Sequence, residues 1–260
     1  MSDPALSPPL DFVVIGAYKA ATTSLHLALR AHRDVYVPER KEPSYFAFEG
    51  LSETERRANP IAAIAVTDAG EYAALFEARS DEQVAGEVSP EYLKNLRCAE
   101  RLYGHNSGLR LVAILRDPSE RAFSDYLMYR RDGRERLDTF AAAIDAQEQR
   151  LSEDEATGQY LVTGRYGEQL QRYYDIFDAD QLLVLKQEEL GRDPDMVFAR
   201  LAGFLGIEQD GFAAAPVNSN RSGIASTPVS RIAYAARRRL KFARGLVPDR
   251  VKRSLDDKLQ

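Results

Sequence analysis

Apolar and polar positions fall into two kinds of block along this chain: short, unbroken apolar runs, and longer stretches in which apolar residues recur at helical spacing. That alternation is how an α/β sheet covered by helices reads in sequence. Phe12–Ile15 (FVVI), Val84–Val88, Leu111–Leu115 (LVAIL) and Leu182–Leu185 (LLVL) read as buried strands. Helices are predicted over Thr22–Ala31, Tyr72–Ala78, Ser119–Arg131, Leu137–Arg150, Tyr166–Phe177 and Pro194–Leu205. The fold class is therefore α/β, a three-layer sandwich with a mostly parallel central sheet. Sheets of this kind bind ligands at the carboxyl ends of their strands, so chemistry is expected just after Ile15, Val88 and Leu115.

Composition narrows the picture. With 260 residues and 44% hydrophobic content the chain can bury a large core, and no repeat or low-complexity linker divides it. The expected organisation is a flexible tail over 1–10, one domain over 11–228, and a basic helical segment over 229–260 that is part of the same domain. No apolar run reaches the roughly 18 residues of a membrane helix, and MSDPALSPPL lacks the features of a secretory signal. A soluble, cytoplasmic protein is expected. The lone Cys98 and the three histidines, His26, His32 and His105, provide neither a disulfide nor a histidine-rich metal site, so no metal is expected.

A net charge of −5 argues against a nucleic-acid polymer as partner. The charge is unevenly spread: from Val229 onward ten Lys/Arg face three acids. That tail reads either as a solvated helix closing the fold or as a peripheral contact with an anionic surface. Oligomeric state leaves no trace in the pattern.

The first strand runs into Gly16-Ala17-Tyr18-Lys19-Ala20-Ala21-Thr22-Thr23-Ser24-Leu25. A tight small-residue loop opening a helix presents backbone N–H groups and the positive end of the helix dipole, which suit a phosphate. The nucleotide-triphosphatase loop G-x-x-x-x-G-K-[ST] is the nearest decoy. Registered on Gly16, it puts Ala21 at its second glycine and Thr22 at its lysine, while the lysine present is Lys19. A nucleotide kinase or NTPase site is thus poorly matched, and an ordinary strand-to-helix turn is the plain alternative.

A second run, Leu111-Val-Ala-Ile-Leu-Arg116-Asp117-Pro118-Ser119-Glu120-Arg121-Ala-Phe-Ser124-Asp125-Tyr126, joins strand, turn and helix. Asp117 suits the N-cap, Pro118 the first helical position and Glu120 a capping box. Capping leaves Arg116 and Ser124 unexplained. A forked cation and a hydroxyl together suit a doubly ionised phosphate, the alternative being an Arg116 paired with a nearby acid.

Together these two runs resemble the sulfotransferases that use PAPS (3′-phosphoadenosine-5′-phosphosulfate), in particular the branch of heparan sulfate enzymes and bacterial relatives. The first is similar to that family's G-x-x-K-x-G-T-T-x-L loop, departing at Ala21, and the second to its L-R-D-P-x-x-R-x-x-S-x-Y motif. The resemblance implies a P-loop-like sulfotransferase fold, PAPS as donor and PAP (3′-phosphoadenosine-5′-phosphate) as product, with direct in-line transfer. It assigns Lys19, Ala20, Ala21, Thr22, Thr23 and Ser24 to the 5′-phosphosulfate, and Arg116 and Ser124 to the 3′-phosphate.

Further stretches carry the resemblance onward. Lys41-Glu42-Pro43-Ser44-Tyr45-Phe46 is similar to the family's K-E-x-x-F-F element, which makes Glu42 the expected general base and Lys41 its neighbour; a plain surface ion pair is the alternative. Gly86-Glu87-Val88-Ser89-Pro90-Glu91-Tyr92 resembles E-K-[ST]-P-x-Y with Val88 in the lysine position, so leaving-group stabilisation falls on Lys19 and the loop. Glu87 and Ser89 are candidates for acceptor contact, Glu87 alternatively for holding an Arg or Lys. Gly164-Arg165-Tyr166 resembles a G-x-Y element, adding Tyr166. Arg221, Ser222 and Gly223 fall where the family's late loop closes on the 3′-phosphate. The acceptor, a small molecule, carbohydrate or lipid bearing a hydroxyl or amine, is not legible, and a non-catalytic PAP-binding protein shares most of these features.

Overall fold

The computed structural model describes residues 10–81, 83–153 and 157–212. Residues 1–9, the basic segment and Arg221, Ser222 and Gly223 lie outside the described residues, while Leu10, the last residue of the expected flexible tail, is buried in the core. In chain order the elements are β1 (Phe12–Gly16), α1 (Thr22–Ala31), β2 (Val35–Tyr36), α2 (Tyr45–Phe48), α3 (Glu53–Ala58), α4 (Ala69–Ala74), β3 (Val84–Val88), α5 (Glu91–Lys94) and α6 (Cys98–His105). They continue with β4 (Arg110–Leu115), α7 (Pro118–Arg131), α8 (Phe140–Asp145), α9 (Gln147–Ser152), α10 (Tyr166–Tyr174), β5 (Leu182–Lys186), α11 (Gln187–Arg192) and α12 (Pro194–Leu205).

The strands form one five-stranded sheet in the order β2-β3-β1-β4-β5, and each neighbouring pair is parallel. Parallel strands are buried on both faces, which explains their continuous apolar runs. Alternate residues sort cleanly: Val13, Ile15, Leu111 and Ala113 enter one core with α4 and α6, while Phe12, Val14, Val112 and Ile114 enter another with α1 and α12. β1 lies at the centre; the chain builds β3 on one side of it and then crosses to β4 on the other. That reversal opens a crevice beyond the carboxyl ends of β3, β1 and β4, where the three expected loops converge.

Several local expectations change. The helix expected over Leu137–Arg150 is two, α8 and α9, separated at Ala146, and α8 starts only where the Thr139 side chain accepts from the Ala142 N–H. The helix expected from Tyr72 starts at Ala69, because Asp68 caps it through the Glu71 N–H. β2 and the short helices α2, α3, α5 and α11 are too brief to show a period. His105 ends α6, with its ring edge-on to Phe46 at 5.1 Å.

Candidate active site at the carboxyl edge of the sheet

β1 ends at Gly16, where a Cβ would stand 2.6 Å from that of Leu93; only glycine lets α5 pack this close to the start of the loop. The loop is tied to β4 by the Ala17 N–H, which donates to the Ile114 carbonyl at 2.7 Å. Lys19 (φ 62°) and Ala21 (φ 65°) both hold left-handed backbone. This conformation costs an L-residue about 1–2 kcal/mol and explains why glycine is the natural occupant at position 21. Ala21 is also the N-cap of α1, offers no side-chain hydrogen bond, and is followed by a first turn without acidic residues. By contrast α3, α4, α7 and α12 are capped by Ser52, Asp68, Asp117 and Asp193. The N-terminus of α1 thus keeps its positive end for an anion.

Lys19 is half-buried, with Nζ 3.6 Å from Met128 Sδ on α7. Desolvation lowers its pKa, opposed by the Asp125 carboxylate and assisted by Arg131. Arg116 donates from Nη1 to the Lys19 carbonyl at 3.4 Å and pairs through Nη2 with Glu120 Oε2 at 3.0 Å. Glu120, Ser124 and Met128 are successive i,i+4 positions on one face of α7. Since Glu120 reaches Arg116 and Met128 reaches Lys19, Ser124 lies on the stripe between the two cations. The capping box expected at α7 is only half present: Asp117 Oδ1 accepts from the Ser119 and Glu120 N–H groups, both at 2.9 Å, while Glu120 turns to Arg116. The Tyr166 hydroxyl is buried beside the Arg116 backbone.

The Lys41–Ser44 turn faces the same region. Lys41 Nζ pairs with Glu42 Oε1, each side chain about one-third exposed. Glu42 acts electrostatically on Tyr18 and Glu91, and Lys41 on Lys19. Glu42 (φ 56°) and Ser44 (φ 54°) are again left-handed, the kind of backbone that survives only where its surroundings hold it. Here the hold is visible: the Val66 N–H donates to the Pro43 carbonyl at 2.8 Å, and the Ser44 N–H to Ser89 Oγ at 3.0 Å.

Ser89 in turn donates to Glu87 Oε2 at 3.0 Å, while Tyr72 and Tyr92 donate to Glu87 Oε1 at 3.0 and 2.6 Å. Glu87 is fully buried and its partners are three hydroxyls, neither an Arg or Lys nor a surface open to an acceptor. It anchors the turn that carries Glu42. Val88 packs in the apolar core beneath α1.

Burial pushes the Glu87 carboxyl up to about 7 in spite of its donors. From its ordinary 4.5 to about 7 the folded chain holds this proton more tightly than the unfolded one, so stability falls as pH rises through that window. His26, buried, is pushed down to about 4, chiefly by desolvation and then by Lys41, and its contribution rises with pH toward the ordinary 6.5. The two slopes oppose each other. Glu87→Gln deletes the falling one, so urea unfolding should show the variant gaining on wild type by as much as about 3 kcal/mol between pH 5 and 7. Parallel pH profiles would remove Glu87 from this account.

Sequence reasoning passed over Tyr18, Glu91, Lys94, Asp125 and Met128. Lys94 Nζ stands 3.2 Å from Glu91 Oε1 and 5.2 Å from the Tyr18 ring centroid. Asp125 pairs with the buried Arg121 at 3.2 Å. The i,i+3 spacing of Glu91 and Lys94 and the i,i+4 spacing of Arg121 and Asp125 were the available signals, but surface pairs use the same spacings.

Residues 11–211 match the model described as "Sulfotransferase family". A sulfotransferase structure from Alicyclobacillus acidocaldarius superposes with a TM-score of 0.71 at 30% identity, covering 88% of this chain and 92% of that one. Heparan sulfate glucosamine 3-O-sulfotransferase 3B1 of Homo sapiens is 26% identical over 200 residues, 76% of this chain and 46% of that protein. The membrane-associated sulfotransferase kil1 of Dictyostelium discoideum is 28% identical over 116 residues, 45% of this chain and 22% of that protein. The chain therefore spans less than half the length of these curated relatives. Among the described residues no helix is long and apolar enough to cross a membrane. On the family match and the 30% identity over most of a solved sulfotransferase, this chain belongs to the sulfotransferase family.

Proposed function

We propose that this protein transfers a sulfuryl group from PAPS to a hydroxyl or amine acceptor, with Glu42 as general base. The observation that carries the reading is the meeting of two anion cradles at one crevice: the uncapped start of α1 with Lys19, and Arg116 with Ser124, joined by the Arg116 to Lys19 carbonyl hydrogen bond. In this reading the N–H groups of Ala21 and Thr22, with the hydroxyls of Thr22, Thr23 and Ser24, hold the 5′-phosphosulfate, while the Ala20 N–H donates to the Ala17 carbonyl at 3.3 Å and shapes the loop. Arg116 exchanges Glu120 for the 3′-phosphate, a doubly charged partner, with the Ser124 hydroxyl as second donor.

The acceptor oxygen or nitrogen attacks sulfur in line with the bond to the bridging phosphate oxygen. As the new bond forms and the old one breaks, the acceptor proton goes to Glu42 and the electron pair of the broken bond to the phosphate of PAP. Lys19 stabilises that growing charge. Burial makes its ammonium less comfortable than in water, which strengthens its attraction to the departing phosphate. Lys41 holds the Glu42 carboxylate toward the site, and Tyr166 backs Arg116. Ser89 and Glu87 support the base turn from below. The heparan sulfate glucosamine relative supports a carbohydrate acceptor for this chain as well.

Thermal unfolding in the presence of PAP, compared with ATP and magnesium, tests the donor. At PAP concentrations about 100 times Kd the gain should be about 2.7 kcal/mol, with little from ATP. A larger gain from ATP and magnesium would replace PAPS chemistry with phosphoryl chemistry.

A further inference from the structure

We propose that Lys94 is a second catalytic cation of this site, held by Glu91 and Tyr18 so that its ammonium contacts the transferring sulfuryl group alongside Lys19. The inference rests on the PAPS reading and deepens it.

Three independent contacts fix where Lys94 sits. α5 follows β3 at the sheet's carboxyl edge, and the close approach of Leu93 to Gly16 seats it on the first residue of the phosphate loop. Its carboxyl end is pinned from α10, where Arg172 Nη2 donates to the carbonyls of Leu93 at 3.0 Å and Lys94 at 3.3 Å. The Lys94 side chain then folds back one turn onto Glu91 and over the ring of Tyr18, the residue beside Lys19. A cation over an aromatic face within about 6 Å is attracted by the ring quadrupole, so the ammonium has a defined seat.

Its electrical neighbours are those of the reaction. The Asp125 carboxyl is raised by burial and drawn down first by its partner Arg121, with Lys94 and Lys19 adding smaller pulls, so both ammonium groups act on the same carboxylate. Glu42 acts on both Tyr18 and Glu91, the two groups that hold Lys94. The acid that balances Lys94 is itself incompletely satisfied: Glu91 Oε2 is buried without a hydrogen-bond partner. The Lys94 side chain keeps 21% of its surface exposed, enough to meet a ligand, while Glu91 keeps 8%. β3 supplies no cation at this corner, because Val88 is turned into the core.

During transfer the sulfur–oxygen bond to the phosphate breaks and negative charge spreads over the sulfuryl and bridging oxygens. A preplaced, half-desolvated ammonium gains most when that charge appears. Lys19 alone covers the phosphate side. Lys94 covers the sulfuryl side, and Glu91 keeps it from collapsing onto Glu42.

Isothermal titration calorimetry with PAPS and with PAP separates this role from others, because only PAPS carries the sulfuryl group. For Lys94→Met, PAPS affinity should fall about 10-fold while PAP affinity stays within about twofold of wild type, the loss of one charge-assisted contact. Hydrolysis of labelled PAPS, in which water takes the sulfuryl group as sulfate and PAP leaves, should fall by at least about 10²-fold. Lys94→Gln serves as a second neutral replacement should the methionine variant fail to fold, and Lys94→Arg should keep the PAPS preference within about threefold by retaining the charge. Equal losses for PAPS and PAP would make Lys94 a support of the loop, and unchanged affinities with unchanged sulfate release would make Glu91–Lys94 an ordinary ion pair; either result overturns the proposal. If wild type binds neither nucleotide, the PAPS reading itself fails, a result distinct from both.

Discussion

Glu42→Gln is expected to cut turnover by at least about 10²-fold while leaving PAP affinity within about twofold of wild type. The reason is that Glu42 sits off the nucleotide cradles, on a turn whose backbone is held from Pro43 and Ser44, so loss of its charge should not move Lys19 or Arg116. Glutamine preserves size and the left-handed φ of 56° is already carried by a residue with a Cβ, so the turn has no new reason to refold. Glu42→Asp keeps a carboxylate on a shorter arm and should retain intermediate turnover. The measurement is PAP formation at saturating PAPS with an acceptor that supports wild-type turnover, paired with calorimetric titration of PAP. If the pair with Lys41 is only a surface ion pair, both variants will turn over normally and lose less than about 1 kcal/mol of stability.

The sheet was legible because strands buried on both faces are mainly apolar, a rule that Phe12–Ile15 and Leu111–Leu115 obey throughout and Val84–Val88 breaks only at Glu87. Two of the helices, α7 and α12, announced themselves through long periodic stretches opened by an Asp cap and a proline. The split at Ala146 was hidden because Phe140, Ile144 and Leu151 continue one apolar period across two helices. For Glu87 the pattern leaves acceptor contact and a pair with Arg or Lys equally open; only the fold shows that Tyr72, 15 residues away, comes back to donate to it. Lys94 was missed because a lysine three residues from a glutamate reads as a solvated helix pair until α5 is seen lying on Gly16. Tertiary closeness, not residue type, makes the difference in both cases.

Arg116→Ala should weaken PAP binding by about 10- to 100-fold yet change adenosine 5′-monophosphate binding by no more than about twofold. The two ligands share adenosine and the 5′-phosphate and differ only in the 3′-phosphate, so the ratio of their losses isolates the group that Arg116 is proposed to hold. Ser124→Ala should follow the same selectivity with a smaller loss, about 3- to 10-fold, since a hydroxyl brings no charge. Glu120 supplies an internal control. It pairs with Arg116 Nη2 and is itself 64% exposed, so it competes with the 3′-phosphate for the same guanidinium. Glu120→Gln should therefore raise PAP affinity modestly, about two- to threefold, without altering adenosine 5′-monophosphate binding. The alternative is that Arg116 works through its other arm, on the Lys19 carbonyl, by fixing the shape of the phosphate loop. In that case both ligands would weaken together on Arg116→Ala and the Glu120 variant would change neither, and the 3′-phosphate would have to be sought elsewhere along the crevice.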